Sequence, residues 1–369
     1  MVDSNPTNSG TDQNVHQEQQ YIDLVRHVMS SGQTRPDRTG TGVRSVFAPP
    51  QLRFDLSDSK LPILTTKKVF TKSIIHELLW FIKGSTDSNE LSCLGVKIWN
   101  QNGSRDFLDR LGFEKRQEGD LGPIYGFQWR HFGADYVDFR TDYTGKGVDQ
   151  LQNCIEKIIS NPTDRRIILT AWNPKDLKLM ALPPCHMFCQ FYVTLPDESN
   201  PKPRLSAILY QRSADIGLGL PFNITSYALL VHMIAQITDC QASELIIQLG
   251  DAHIYNDHIQ QLELQIEREL CYEFPRLRLN PNVKDIDGFR FDDFEILNYQ
   301  SHPKIGNLLS LSNHFFKKKI WLLICFFFFI RNGDVCIIFF LYKGKVFDCI
   351  TGSLFWVLLF QLNWIFLLI

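Results

Sequence analysis

Cys185 lies in the stretch Ala181-Leu182-Pro183-Pro184-Cys185-His186-Met187-Phe188-Cys189-Gln190-Phe191-Tyr192. Two prolines fix the backbone just before it in an extended or turning path. The apolar, aromatic run after it reads as a buried strand. A thiol held at such a turn-to-strand junction, with a histidine beside it, can be presented to an electrophile at little entropic cost. The same stretch taken alone also describes an ordinary buried core cysteine. Other residues have to decide between the two.

Three further stretches carry anion-binding chemistry. Arg35-Pro36-Asp37-Arg38-Thr39-Gly40-Thr41-Gly42 is a turn whose glycines allow close backbone approach and whose Arg38 supplies a positive fork. Surface turns often look the same. Asp164-Arg165-Arg166 precedes a strand over 167–172. Adjacent arginines at a strand start point to opposite faces. Arg165 and Arg166 therefore reach one anion only at the strand's end or on a neighbouring subunit. Gln211-Arg212-Ser213-Ala214-Asp215-Ile216-Gly217-Leu218-Gly219-Leu220-Pro221-Phe222-Asn223 joins an arginine, a hydroxyl, a carboxylate and an amide in a glycine-punctuated loop. Such a set can hold a phosphate and read a heterocycle edge.

Other candidates are single residues. His253 and Tyr255 share a face if 250–255 is extended, so both could reach a sugar hydroxyl, or each could be a satisfied core polar group. Glu77 falls within or beside an apolar helical stripe of Ile74, Leu78, Phe81 and Ile82. A carboxylate there is paired, desolvated toward a useful acid-base pKa, or turned to water at the stripe's edge. Gly122-Pro123-Ile124-Tyr125-Gly126-Phe127-Gln128-Trp129 could line a pocket for a flat ligand or fill the core. Trp99, Asn100 and Asn102 fall in a loop.

The elements that must position these residues follow from periodicity and punctuation. Tyr21, Leu24, Val25 and Val28 repeat at helical spacing, with Gly32 as the stop. Residues 43–47 and 52–56 alternate like strands. Thr71 caps a helix running to about Lys83, and Gly84 ends it. A short helix starts near Ser104, and another over Leu151, Ile155, Ile158 and Ile159 stops at Pro162. Residues 196–201 form an exposed hairpin tip leading into a strand over 205–212. Thr225 caps an apolar helix through Ile237, and 245–249 is a strand. Strands and helices interleave, which predicts an α/β or mixed α+β fold, and there is no internal repeat.

Net charge is -2 over 369 residues, which argues against a broad basic face and against DNA as a partner. The nine cysteines contain no CxxC pair and are odd in number, as expected of reduced thiols rather than a disulfide framework or zinc ribbon. Residues 1–17 are polar, have no apolar signal core and read as a disordered lead-in. From Gly306 the composition changes: about a dozen of the 28 phenylalanines crowd there with Ile, Leu, Lys and Asn. This is what A- and T-rich non-coding sequence would give on translation. Of its two apolar runs, 320–330 is too short to cross a bilayer, and Ser353–Ile369 is of marginal length and broken by Gln361 and Asn363.

Taken in order, the motifs resemble the thymidylate synthase family from about Glu18 to Ile305. They are Arg38-Thr39-Gly40-Thr41-Gly42, Glu77-Leu78-Leu79-Trp80-Phe81, Asp164-Arg165-Arg166, Pro183-Pro184-Cys185-His186, Gln211-Arg212-Ser213, 215–223 and Asp251-Ala252-His253-Ile254-Tyr255. The resemblance implies a catalytic domain over 18–305, a large mixed sheet packed against helices, and a homodimer formed through sheet faces. It implies reductive methylation of dUMP to dTMP, with 5,10-methylenetetrahydrofolate as co-substrate, dihydrofolate as product and no metal. Cys185 would be the nucleophile. Arg38 and Arg212, with Arg165 and Arg166 from the partner subunit, would hold the phosphate. His186, Gln211, Ser213 and Asp215 would join the dUMP site, Asn223 would read the uracil edge, and His253 and Tyr255 would hold the 3′-hydroxyl. Glu77 would relay protons, and Tyr125 would serve removal of the C5 proton. Trp99, Asn102, Asp215, Leu218, Gly219 and Phe222 would form the folate side.

The resemblance also implies a short closing tail, whose place here is taken by 306–369. An isoform that binds dUMP or its own messenger RNA without efficient turnover is the alternative reading. A membrane tether through 353–369 is a third. A cytoplasmic location, with nuclear or mitochondrial pools, is the expected setting.

Overall fold

The structure, a computed structural model, describes residues 15–37 and 40–306, together with 340–342 and 345–347. Arg38, most of the polar lead-in and the rest of the Phe-rich segment, including 353–369, lie outside the described residues. The chain divides into two compact units, Met1–Ser312 and Asn313–Ile369. In the second, the described residues form an antiparallel pair, Phe340–Tyr342 with Lys345–Phe347.

The first unit is built on a seven-stranded mixed sheet. Its strands are β1 (Gln33–Arg35), β2 (Val43–Phe47), β3 (Leu52–Asp55), β4 (Ile168–Thr170), β5 (His186–Thr194), β6 (Arg204–Asp215) and β7 (Gln241–Tyr255). The order is β1-β2-β7-β6-β5-β4, with β3 also pairing β7. All pairs are antiparallel except β6 with β7. A parallel pair needs a long crossover, usually a helix. Here it is α8 (Gly219–Ile237), which packs on both strands. Its residues 228–231 and 233–234 are almost completely buried, so its length and apolarity are those of a core helix.

The other helices are α1 (Gln19–Ser31), α2 (Thr71–Ile82), α3 (Ser88–Cys93), α4 (Asn100–Gly103), α5 (Arg105–Arg110), α6 (Tyr125–His131), α7 (Gln150–Ser160) and α9 (Ile259–Ile266). Helix α2 packs against α6 and α8. Its stripe of Ile74, Leu78, Phe81 and Ile82 is buried, as the periodicity predicts.

One sheet face carries the core, with Cys189, Phe191 and Val193 of β5, Leu205, Ala207 and Leu209 of β6, and Leu245, Ile247 and Leu249 of β7. The opposite face, with Phe188, Gln190, Ile208, Tyr210, Ile246 and Gln248, is half-exposed, and Tyr192 is exposed. Between His186 and Phe188 the register shifts. An irregularity of this kind bends a strand and re-aims a side chain. It breaks the alternation so that His186 is buried along with Cys189.

Several sequence expectations are corrected. The strand expected over 205–212 is present and runs on through 213–215, which end the 12-residue β6 rather than lying in a loop. Gln211 still pairs with His186 of β5, and Ser213, Ala214 and Asp215 pair with Asp251, Ala252 and His253 of β7, so pairing with β7 carries the strand on and polar side chains do not end it. The 15-residue β7 likewise runs well past both ends of 245–249. Helix α8 begins at Gly219, six residues before Thr225, whose hydroxyl instead donates to Pro62 O at 2.9 Å. The entry to α8 is held by Asp215 Oδ1, which accepts from Gly217 N at 2.9 Å and Leu218 N at 3.2 Å. Thr71 makes no side-chain cap to α2. Ser104 does cap α5, accepting from Phe107 N at 3.3 Å. Asn100 and Asn102 lie on the single turn of α4 rather than in a loop.

Candidate active site

The start of β5 and the ends of β6 and β7 meet at one end of the sheet. Cys185 is half-buried immediately before β5. Arg212 of β6 fastens the turn that presents it. Its backbone N donates to Cys185 O at 2.9 Å. Its guanidinium donates through Nε to Pro184 O at 2.7 Å and through Nη2 to Pro183 O at 3.0 Å. The same Nη2 lies 3.9 Å from Cys185 Sγ. The Arg212 guanidinium also lies over the Trp172 ring, at 5.5 Å. The prolines leave their carbonyls without strand partners, and one arginine satisfies both while placing positive charge beside the sulfur.

Helix α6 brings up Tyr125, whose hydroxyl accepts from Cys185 N at 2.8 Å. Its phenol pKa is pushed up, first by burial and then by the negative charge a thiolate at Cys185 would carry. His186 stacks on the Tyr125 ring, with centroids 4.2 Å apart and planes at 22°. Its Nδ1 is 3.0 Å from the hydroxyl of Tyr227 in α8. Burial lowers the His186 pKa to about 3, so the ring is neutral at physiological pH.

Glu77 of α2 accepts from Trp99 Nε1 at 2.7 Å. Burial raises its pKa to about 7, and the Trp99 hydrogen bond only partly offsets this. The carboxyl therefore exchanges its proton near neutral pH. Phe81, one turn on from Glu77, packs against Tyr125 and Trp99, so α2, α6 and the residue just before α4 share one aromatic wall.

On the other side, Gln211 Nε2 donates to Asn223 Oδ1 at 2.9 Å and to Ser213 O at 3.2 Å. Asn223 and Phe222 lie in the first turns of α8, half-buried, as are Leu218 and Gly219 at its start. Asp215 is 9% exposed, and its Oδ2 has no hydrogen-bond partner among the described residues. Lys67, also buried, donates to Gly217 O beside it. Burial brings the Lys67 pKa down to about 8, and the charges of Asp215 and Glu18 resist this. Asn102 is half-buried on α4.

At the end of β7, His253 pairs in register with Asp215 of β6, and His253 and Tyr255 share a face with ring centroids 5.5 Å apart. His253 Nδ1 is 3.1 Å from Asp251 Oδ1, which also accepts from Ser45 Oγ at 2.8 Å. The hydrogen bond from His253 is the largest influence holding the Asp251 carboxyl below its ordinary pKa. The loop before β2 is tied to this end: Asn256 N donates to Gly42 O at 3.0 Å, and Gly42 N to Asp37 Oδ1 at 2.7 Å. Gly42 has φ +80°, and an added Cβ would meet Asn256 Nδ2 at 2.6 Å, so glycine is required there.

Arg165 and Arg166 are not brought to Cys185. Both are exposed, and Arg166 Nε donates to Asp164 Oδ1 at 2.9 Å. Gln190 Nε2 donates to Arg165 O, and β4 runs antiparallel to β5. That level is five residues along from Cys185, about 17 Å at ~3.4 Å per residue.

A sequence model of the family described as thymidylate synthase matches residues 19–310. The chain belongs to the thymidylate synthase family. It is 59% identical over 298 residues to the thymidylate synthase of Agaricus bisporus, an alignment taking in 80% of this chain and all of that protein. It is 58% identical over 297 residues to the thymidylate synthase of Saccharomyces cerevisiae, with 80% of this chain and 97% of that protein aligned. It is 57% identical over 290 residues to the human enzyme of that name, with 79% and 90% aligned. Thymidylate synthases are methyltransferases that act on dUMP with methylenetetrahydrofolate as co-substrate, and the mixed sheet with its covering helices is consistent with their fold.

Sequence reasoning missed two members of this site. Tyr227 sits in the apolar run of α8 and Lys67 in a short polar stretch before α2. Nothing in their local spacing marks either, because the contacts that matter join residues 41 and 150 positions apart.

Proposed function

We propose that this chain converts dUMP to dTMP, with Cys185 adding to C6 of the uracil ring. The observation that carries the reading is the guanidinium of Arg212 at 3.9 Å from Cys185 Sγ, on a turn that the same arginine fastens. Uracil C5 becomes nucleophilic only once something has added at C6, and a thiolate is a soft, effective donor for that step. The fixed positive charge stabilises the thiolate's negative charge. The Arg212 guanidinium also serves the phosphate, with Arg38. Asn223, oriented by Gln211, reads the pyrimidine edge, and Ser213, His253 and Tyr255 hold phosphate and sugar.

The folate supplies the one-carbon unit and the hydride when bound. The buried Oδ2 of Asp215, without a hydrogen-bond partner among the described residues, fits an N–H donor of such a ligand, and Trp99, Asn102, Leu218, Gly219 and Phe222 fit its flat ring system. Glu77, with its pKa near 7, gives and takes the protons of the pyrimidine and folate through water. Tyr125, against Cys185 and His186, assists departure of the C5 proton.

The working unit in this reading is a homodimer joined through the half-exposed sheet face. Arg165 and Arg166 then bind the phosphate of the partner's site. Their distance from Cys185 along β5 supports this placement.

Tritium release from C5-labelled dUMP tests the function on the full chain. Release that requires both methylenetetrahydrofolate and Cys185 is expected. Absence of release with both ligands present, or release unchanged in Cys185→Ala, would overturn the reading.

A further inference from the structure

Tyr227 has no part in the chemistry above. It lies in α8 between Ser226 and Ala228 and is 3% exposed. Its hydroxyl has one hydrogen-bond partner among the described residues, His186 Nδ1 at 3.0 Å. A buried hydroxyl proton goes to an acceptor when one is in reach, because leaving it unmade forfeits its hydration with no return. The acceptor in reach is Nδ1, which can accept only if it carries no proton.

We propose that Tyr227 is a positioning residue whose hydroxyl donates to His186 Nδ1 and thereby holds His186 as the Nε2–H tautomer. The ring is buried to 7% exposure and neutral, so it has one proton to place. Taking Nδ1 as an acceptor leaves that proton on Nε2. The second constraint is steric. The ring is stacked on Tyr125 and flanked by Phe81 at 5.8 Å, with Tyr227 edge-on at 5.5 Å, so it cannot turn over to exchange its nitrogens without disturbing all three. Tyr227 thus fixes which nitrogen donates, and the stack fixes where the ring lies. Tyr125, on the other side of that stack, holds the Cys185 backbone. A change at Tyr227 therefore passes through two contacts to the nucleophile's turn.

The consequence for binding rests on the reading that His186 belongs to the dUMP site. There an Nε2–H donor suits a carbonyl oxygen of the pyrimidine, and an Nε2 lone pair would oppose one.

The test is nitrogen-15 NMR of the histidine-labelled full chain at neutral pH without substrate, with His186→Ala assigning the signals. Wild type is expected to give an unprotonated Nδ1 and a protonated Nε2. Tyr227→Phe, which keeps the ring and removes the hydroxyl, is expected to give a mixture of tautomers. Its dUMP affinity by calorimetry should fall about fivefold, near the loss of one hydrogen bond. A protonated Nδ1 in wild type would overturn the proposal, as would a pure Nε2–H signal in Tyr227→Phe. A mixed tautomer with unchanged dUMP affinity would overturn the positioning role. The wild-type spectrum decides the tautomer even if the variant does not fold. Failure of wild type to bind dUMP would count against the proposed function and leave the tautomer result standing.

Discussion

At the scale of single residues, the site depends on groups whose surroundings move their proton affinities in opposite directions. Burial raises Glu77 to about 7 and lowers His186 to about 3, so one exchanges protons at neutral pH and the other stays uncharged. Glu77 carries a stability consequence. Its folded pKa lies above its ordinary 4.5, so its contribution to stability is fully present below about 4.5 and is lost as pH rises through about 7. Above pH 7 the fold holds a desolvated carboxylate. Because the residue keeps partial exposure, the cost is on the order of 2 kcal/mol, below the full value of the shift. Glu77→Gln should therefore raise the thermal midpoint at pH 8 and leave it unchanged near pH 4, while lowering kcat by about 100-fold or more. A variant less stable than wild type at pH 8 would contradict the desolvation account. The position of Glu77 within or beside an apolar stripe was legible in the chain. Its partner Trp99 was not, because a hydrogen bond spanning 22 residues leaves no local pattern.

At the scale of elements, the sequence marks positions better than ends. The starts of β2 and β3 and the stripe of α2 follow from alternation and helical spacing, and the start of β5 from the prolines and the apolar run after them. The ends of β6 and the start of α8 do not. Ser213 and Asp215 look like loop residues, yet pairing with β7 keeps them in the sheet, and the bond from Arg212 N to Cys185 O at 2.9 Å brings Arg212 to the nucleophile. Site residues depart from local rules where the chemistry needs polar groups in a central strand. The two arginines before β4, an edge strand, are a different case, because they are exposed and far from Cys185. If they act across a dimer, two inactive variants should rescue one another. Mixing Cys185→Ala with Arg165→Ala/Arg166→Ala, in chains whose closing tail has been restored, makes half the dimers mixed, each with one intact site. Activity of roughly a quarter of wild type is expected. Zero activity with subunit exchange verified would place the arginines in the same subunit as Cys185.

At the scale of the whole molecule, the family match ends at residue 310, and the alignments to relatives take in about four-fifths of the chain. The resemblance implies a tail that closes over both ligands, in the place where this chain has its Phe-rich segment. Nucleotide binding should survive that replacement, since Arg212, Asn223, His253 and Tyr255 are all present. Methyl transfer should suffer, because misplacement by about 1 Å can cost on the order of 100-fold in rate. Replacing 306–369 with a short family-like tail should recover turnover by about that factor, with the dUMP dissociation constant unchanged. Equal turnover by the two forms as soluble dimers would contradict this. Everything in the account passes through one sulfur, so the most direct measurement is covalent capture of 5-fluoro-dUMP by the tail-restored chain with methylenetetrahydrofolate, followed by mass spectrometry of the peptide containing Cys185. The account predicts a stable adduct on Cys185 and none in Cys185→Ala, which should still bind the nucleotide reversibly. An adduct that persists in Cys185→Ala, or one located on another residue of wild type, would contradict it.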